Sequence, residues 1–218
     1  MAKIPGGITS KPSGKLGNII FGAARTPQGK VATAREAVDP SNPDTAAQQQ
    51  QRGKFQTAVR IVQDIGPDIY QGDWNRSVGQ LPGFQSWQSI LLNNLLAGNT
   101  LNLPPDRPLG ELHFPDTWTQ NTGTDPESIE VDWSTEDGPN GSTLDRPVII
   151  AIEKDEPQNG VRDVATVVPG ASRGDGVANI YVDKGGTDYV TCLYFRGGNG
   201  NAGKISTARF KVFTSQSS

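Results

Sequence analysis

Residue types that perform covalent or metal chemistry are scarce in this chain of 218 residues. It has one cysteine, Cys192, and one histidine, His113. A single cysteine excludes an intrachain disulfide framework and a zinc site built from several cysteines. We expect Cys192 to be a small apolar core residue, and His113 to be a packed or surface imidazole rather than a ligand or base. The sequence therefore predicts no metal site, no cofactor and no catalytic residue.

Motifs that cradle phosphate or activate a nucleophile give no enzyme assignment either. No G-x-x-x-x-G-K-[ST] loop occurs, and the glycines of PSGKLGN (residues 12–18) lie outside any strand-to-helix context. Ser13 and Ser172 have glycine-rich surroundings, but neither is assigned as a nucleophile. Acidic turns, such as the one over residues 132–145, lack the spacing of an EF-hand and are expected to be solvated hairpin tips. We expect a protein that is not an enzyme.

Long apolar runs are missing as well. No run approaches the roughly 20 residues that span a bilayer. The first 15 residues, MAKIPGGITSKPSGK, lack the apolar stretch of a secretory signal. We therefore expect a protein that is made and kept in solution, with no membrane partner.

Acidic residues are absent from the first 35 positions, which carry six basic residues. The 14 basic and 23 acidic residues that remain give residues 36–218 a net charge of −9. Such separation of charge suggests a segment that lies on an acidic protein surface or on phosphates, the simpler alternative being a solvated basic tail. Phe21 is the only aromatic residue of this segment, so bases would find no stacking platform and nucleic acid is not an expected partner.

Glycine and proline are frequent in the same segment and disfavour a long helix there. We expect residues 1–41 to form an extended basic arm. Its apolar side chains bury area only if another surface receives them, and its backbone could add a strand to an exposed sheet edge. The predicted partner-binding residues are Lys15, Ile19, Ile20, Phe21, Arg25, Lys30 and Arg35.

Residues 42–98 contain residue types that typically begin and end helices. Asn42 is a good N-cap and Pro43 suits the first helical position, so a helix should begin near residue 43 and end before Gly66. A second amphipathic stretch starts at GFQSW, and a short helical turn near Trp74 would close a small core between the two helices. The residues predicted to form the two apolar stripes are Phe55, Ala58, Val59, Val62, Ile65, Phe84, Trp87, Leu91 and Leu95.

The remainder of the chain changes in character twice. Residues 99–126 are rich in proline and lack periodicity, which predicts a connector along the surface. From residue 127 onward, six short runs with alternating apolar residues are separated by glycine-rich turns, a pattern typical of an immunoglobulin-like β-sandwich over 127–218. The overall expectation is an α+β fold, mainly β, with an extended arm, a small helical hairpin and this sandwich.

Three sequence segments also carry a resemblance to a known family. GKLGNIIF at 14–21, PSNPDTAAQ at 40–48 and GFQSW at 83–87 together resemble the N-terminal signature of a group of tailed-phage and prophage virion proteins. Members of this group often end in an immunoglobulin-like module. The resemblance covers about the first 95 residues by motif and the remainder by architecture alone.

The resemblance implies a structural component of a tailed-bacteriophage virion, made in the host cytoplasm. Its partners would be other virion proteins of the capsid, connector or tail, and it would be present as a homo-oligomer or in many copies. The arm would anchor it to neighbouring subunits. The alternative is a receptor- or glycan-binding module displayed on the phage surface, in which the loops of the sandwich recognise a host ligand.

Overall fold

The computed structural model describes residues 14–16, 19–26, 29–36, 44–74, 82–96, 100–121, 125–136, 138, 140–155, 161–167, 170–198 and 200–217. The architecture is α+β and mainly β, as the sequence predicts. The chain divides into two compact units, Met1–Thr45 and Ala46–Ser218.

The first unit contains three antiparallel strands in the order β1-β2-β3. They are β1 (Gly14–Leu16), β2 (Ile19–Thr26) and β3 (Gly29–Glu36). The sequence predicted an extended arm, and the backbone is extended, but these strands pair with one another. Runs with β-branched residues favour strands, and closing short loops between neighbouring strands costs little chain entropy.

The second unit begins with three helical elements. They are α1 (Ala46–Ile65), the π-helical α2 (Asp68–Asp73) and α3 (Gly83–Asn94). The predicted helical turn near Trp74 is confirmed, since α2 ends there and the Trp74 ring lies 4.5 Å from the Trp87 ring, centroid to centroid. Helix α1 stops before Gly66, whose φ of +92° is left-handed. It begins three residues later than predicted, and Asn42 and Pro43 lie outside the described residues.

Burial in α1 is confined to its C-terminal half. Ala58, Ile61, Val62 and Ile65 are buried there, whereas Phe55 is half exposed. Phe55 has the helical spacing of the predicted apolar stripe, but the packed part of the helix begins about one turn later, at Ala58. No helix in the described part of the chain is long and apolar enough to cross a bilayer.

Seven strands follow, and all six of the predicted ones are among them. They are β4 (Trp118–Asn121), β5 (Ser128–Trp133), β6 (Arg146–Glu153), β7 (Val164–Val167), β8 (Val177–Tyr181), β9 (Asp188–Arg196) and β10 (Arg209–Thr214). Strand β4 was not predicted, because it lies in the proline-rich segment that the sequence assigned to a connector.

That segment is packed rather than spread over the surface. Leu101, Leu109, Leu112 and Phe114 are all buried, and isolated backbone bridges join residues 107 and 112 to the segment before β10. Apolar side chains enter the core at irregular intervals as the chain crosses between elements. Neither a helical nor a strand period could therefore reveal this packing.

The strands form two antiparallel sheets, one in the order β10-β9-β6-β7 and the other in the order β4-β5-β8. One buried cluster joins the helices to alternate residues of β6, including Val148 and Ile150, and a second joins the three-stranded sheet to Ile149 and Ala151. The four-stranded sheet thus lies between the helices and the three-stranded sheet. Alternating apolar residues are typical of a half-buried strand, but both faces of β6 are buried, because the helices cover the face that carries Val148 and Ile150.

Candidate functional site

The residues predicted to bind a partner lie on the strands of the first unit. Lys15 of β1 is opposite Ile20 of β2, and Ile20 is opposite Arg35 of β3. At the other end of the sheet, Arg25 is opposite Lys30. The pairing thus brings five of the seven predicted residues into two cross-strand groups, each containing two basic residues.

Ile19 is the predicted anchor whose side-chain environment is defined. Its side chain is 44% exposed, and it is opposite Leu16 of β1 and Glu36 of β3 in the register. Glu36 is also exposed. A β-branched apolar residue at this position leaves area that association with another surface could bury. Phe21 is opposite Gly14 and Ala34.

Strands β1 and β3 are the two outer strands of this sheet. Within the described residues, β1 and β3 each pair only with β2, so the outer edge of each strand has no partner. Unpaired backbone N–H and C=O groups at an edge are a template for a strand from another chain. Arg25 and Lys30, which are opposite in the register, are both basic, and like charges at directly opposite positions disfavour a sheet.

The second unit contains a cavity of about 610 Å³ at one end of the four-stranded sheet. Three loops and two strand ends form its walls. Its lining residues are Leu144, Arg146, Gly170, Ala171, Ser172, Arg196, Gly197, Gly198, Gly200 and Ala202. The sequence did not predict this site, although Arg146 and Arg196 stand at the ends of two predicted strands.

The two cavity arginines are in register. Arg146 at the start of β6 is directly opposite Arg196 at the end of β9. Arg196 donates from Nε to Asp73 Oδ2 at 2.8 Å, and Tyr194 donates its hydroxyl to the same carboxylate. Burial opposes the charge of Arg196, but the hydrogen bond and charge of Asp73 outweigh it and raise the pKa of the guanidinium. Arg146 is exposed and has no ion-pair partner among the described residues.

A buried ion pair is formed by two residues that adjoin the cavity lining in the sequence. Arg173 Nη2 lies 3.3 Å from Asp145 Oδ2, and neither side chain is exposed. Asp145 also accepts hydrogen bonds from the backbone N–H groups of Ser142 at 2.8 Å and Gly198 at 2.9 Å. A single carboxylate therefore ties together the loops that precede β6, precede β8 and follow β9.

Ser172 lies in GASRG, which has the G-x-S-x-G spacing that nucleophile elbows share. The structure gives it a different role. Its hydroxyl is 3.0 Å from Asp175 Oδ2, and its backbone N–H donates to the same carboxylate at 2.6 Å, forming a capping box on the 3₁₀ turn Arg173–Asp175. These hydrogen bonds lower the pKa of Asp175. No strand-to-helix elbow is formed, because this turn leads into β8.

His113, Asp116 and Glu136 have potential ligand atoms within 4.8 Å of one another. Glu136 already accepts hydrogen bonds from the Ser134 hydroxyl and, at 2.7 Å, from the Asp116 backbone N–H. These two bonds lower the pKa of Glu136. The hydrogen bonds account for the position of the Glu136 carboxylate without a cation, and the Asp116 side chain is 82% exposed.

Cys192 is the apolar core residue that the sequence predicted. It is fully buried in β9, among the residues that pack against the helices. Burial raises the pKa of its thiol. A buried neutral thiol is a poor nucleophile and a poor metal ligand.

The chain matches no family model and no curated protein.

Proposed function

We propose that the chain is a structural component of a tailed-bacteriophage virion, which attaches to neighbouring subunits through its first unit. The three sequence segments that resemble phage virion proteins support this proposal. One of them, at 14–21, falls within the first unit, and a second, at 40–48, begins there. The segment that carries the family signature is thus also the segment with the features of an attachment site.

The observation that carries the proposal is the small size of this paired sheet. Nineteen residues in three strands cannot enclose a core, and such sheets need a packed face or further strands for stability. The available edges of β1 and β3, together with the exposed Ile19, offer both kinds of contact. Adding strands from neighbouring subunits would give backbone hydrogen bonds, and anchors such as Ile19 would give specificity.

Charge favours the same arrangement. The charged residues among the first 35 are all basic, and the remainder of the chain has a net charge of −9. Like charges keep two acidic bodies apart, whereas the basic segment of one copy is attracted to the acidic body of another. This pattern suits a protein present in many copies, whose partners are further copies or other capsid, connector or tail subunits. The role that we propose requires no catalysis and no cofactor.

We further propose that the second unit contains an immunoglobulin-like sandwich. In chain order, β4, β5 and β8 take the places of strands A, B and E, while β6, β7, β9 and β10 take those of C, C′, F and G. Two antiparallel sheets with this division are typical of the fold. The helices that cover the four-stranded sheet are an addition, since such sheets usually leave that face to solvent.

Deletion of residues 1–36, which removes β1 to β3, tests the attachment role. All residues of the two buried clusters belong to Ala46–Ser218, so we expect the truncated protein to fold. Particles assembled with it should lack the protein when purified and analysed by quantitative mass spectrometry. Normal copy number in those particles would refute the proposal.

A pair of point variants refines the test. Ile19→Thr keeps a β-branched residue while removing apolar contact area, and Val212→Thr replaces another exposed β-branched apolar residue, on β10, with threonine. We expect Ile19→Thr to lower the copy number and Val212→Thr to leave it unchanged. Equal effects of the two variants would mean that Ile19 is not an anchor. The receptor-binding alternative stays a prediction.

A further inference from the structure

The cavity of the second unit has an uncompensated positive charge. Asp73 offsets the charge of Arg196, whereas Arg146 has no acidic partner in the described part of the chain. Two cationic side chains placed directly opposite each other on neighbouring strands disfavour the folded sheet. An anion bound between the two guanidinium groups would turn this repulsion into attraction.

Both guanidinium groups have donors to offer. Arg196 donates to Asp73 through Nε, and both Arg196 and Arg146 line the cavity. Paired guanidinium donors match the planar or tetrahedral oxygens of carboxylates and phosphates. Asp73 also restrains Arg196, so less side-chain entropy is lost when a ligand binds.

The walls of the cavity are built before any ligand arrives. The enclosed Asp145–Arg173 pair holds the surrounding loops, and the glycines at 197 and 198 fit where no side chain could. A Cβ atom on Gly197 would lie 2.0 Å from the Asn201 carbonyl oxygen, and one on Gly198 would lie 2.2 Å from that of Leu144. Strand ends held in this way keep Arg146 and Arg196 in a fixed relation.

Other glycines leave the mouth of the cavity open. A Cβ atom on Gly170 or Gly200 would meet nothing within 4 Å. The stretch GNGNAGK over 198–204 has the glycine and lysine spacing of a phosphate-binding loop, but Ile205 replaces the hydroxyl residue that should follow the lysine. The stretch is followed by Ile205, which forms a backbone bridge with Arg196, and not by a helix. A nucleotide-binding loop is therefore not formed, whereas a simple oxyanion fits.

We propose that this cavity is an oxyanion-binding site, in which Arg146 and Arg196 hold a carboxylate or phosphate group. Asp73, Asp145 and Arg173 act as positioning residues. The site is separate from the attachment role of the first unit, so either proposal can fail without the other. The ligand binds without covalent change.

Titration calorimetry on the full chain tests the site with two probes, inorganic phosphate and glucuronate, at constant ionic strength. Arg146→Gln should weaken binding about tenfold or more, since it removes a charge-assisted contact. Arg60→Gln is the matched control, because Arg60 is an exposed arginine on α1 with no ion-pair partner among the described residues. It should bind like the unmodified chain.

A second pair of variants acts from inside the cavity. Ala202→Glu places a carboxylate at the exposed rim and should abolish binding, whereas Ala202→Gln, of the same size, should retain it within about threefold. Thermal unfolding of each variant checks that the fold is kept.

The two probes distinguish a phosphate ligand from a carboxylate ligand. Binding of phosphate alone identifies a phosphate ligand, and binding of glucuronate alone identifies an acidic sugar or another carboxylate. If neither probe binds, or if Arg146→Gln binds both as tightly as Arg60→Gln does, the proposal is overturned.

Discussion

Asp145 and Arg173 form an ion pair from which solvent is fully excluded, with 3.3 Å between the carboxylate and guanidinium atoms. Removing one partner of a buried pair leaves an uncompensated charge and costs about 3–5 kcal/mol. We expect that loss of unfolding free energy for Asp145→Asn or Arg173→Met in urea denaturation. The double variant should lose much less than the sum of the two single losses. Additive losses would show that the two residues act independently.

Two glycines of the helical segment should respond oppositely to alanine. A Cβ atom on Gly53 of α1 would meet nothing within 4 Å, whereas one on Gly83 of α3 would lie 1.7 Å from the backbone oxygen of Tyr70. Gly53→Ala should raise the free energy of unfolding by about 0.5–1 kcal/mol through helix propensity. Gly83→Ala should lower it by about 1–3 kcal/mol, because α3 must move away from α2. Chemical denaturation measures both, and an unchanged stability for Gly83→Ala would contradict the close contact.

The stability of the second unit should fall at alkaline pH. Burial is the main cause that raises the pKa of Tyr189 and of Tyr194, and the hydrogen bond and charge of a nearby aspartate raise it further. Above about pH 10 the unfolded chain loses these phenolic protons while the folded chain retains them, so unfolding becomes more favourable as pH rises. Tyr189→Phe and Tyr194→Phe should each flatten the decline, as measured by thermal unfolding from pH 8 to 11. A decline of the same steepness in both variants would assign it to other groups.

Cys192 should be inert while the protein is folded. The thiol is fully buried and its raised pKa keeps it protonated. Alkylation followed by mass spectrometry should show no modification under native conditions and complete modification in denaturant. Because this is the only cysteine of the chain, its labelling rate reports opening of the sheet directly. Rapid native labelling would show that β9 opens locally.

Local patterns were enough to predict most of the elements. The alternation in β5, the spacing of Trp87 and Leu91 in α3, and the stop at Gly66 depend on neighbouring residues, so the sequence reveals them. Strand β4 escaped prediction because it lies in the proline-rich segment, and the burial of Leu101 escaped because Lys154, to which its backbone N–H donates, is distant along the chain. The single residue Phe55 illustrates the same point, since spacing alone does not show where packing begins.

The cavity depended on long-range geometry still more strongly. Arg146 and Arg196 are 50 positions apart and become neighbours only through the register of β6 and β9. Asp145 and Arg173 are 28 positions apart and meet in a buried ion pair. Composition and periodicity established an α+β chain with a basic, acid-free segment, since these are properties of residues near one another in sequence. Which charges meet, and which face of β6 the helices cover, followed from packing between distant segments.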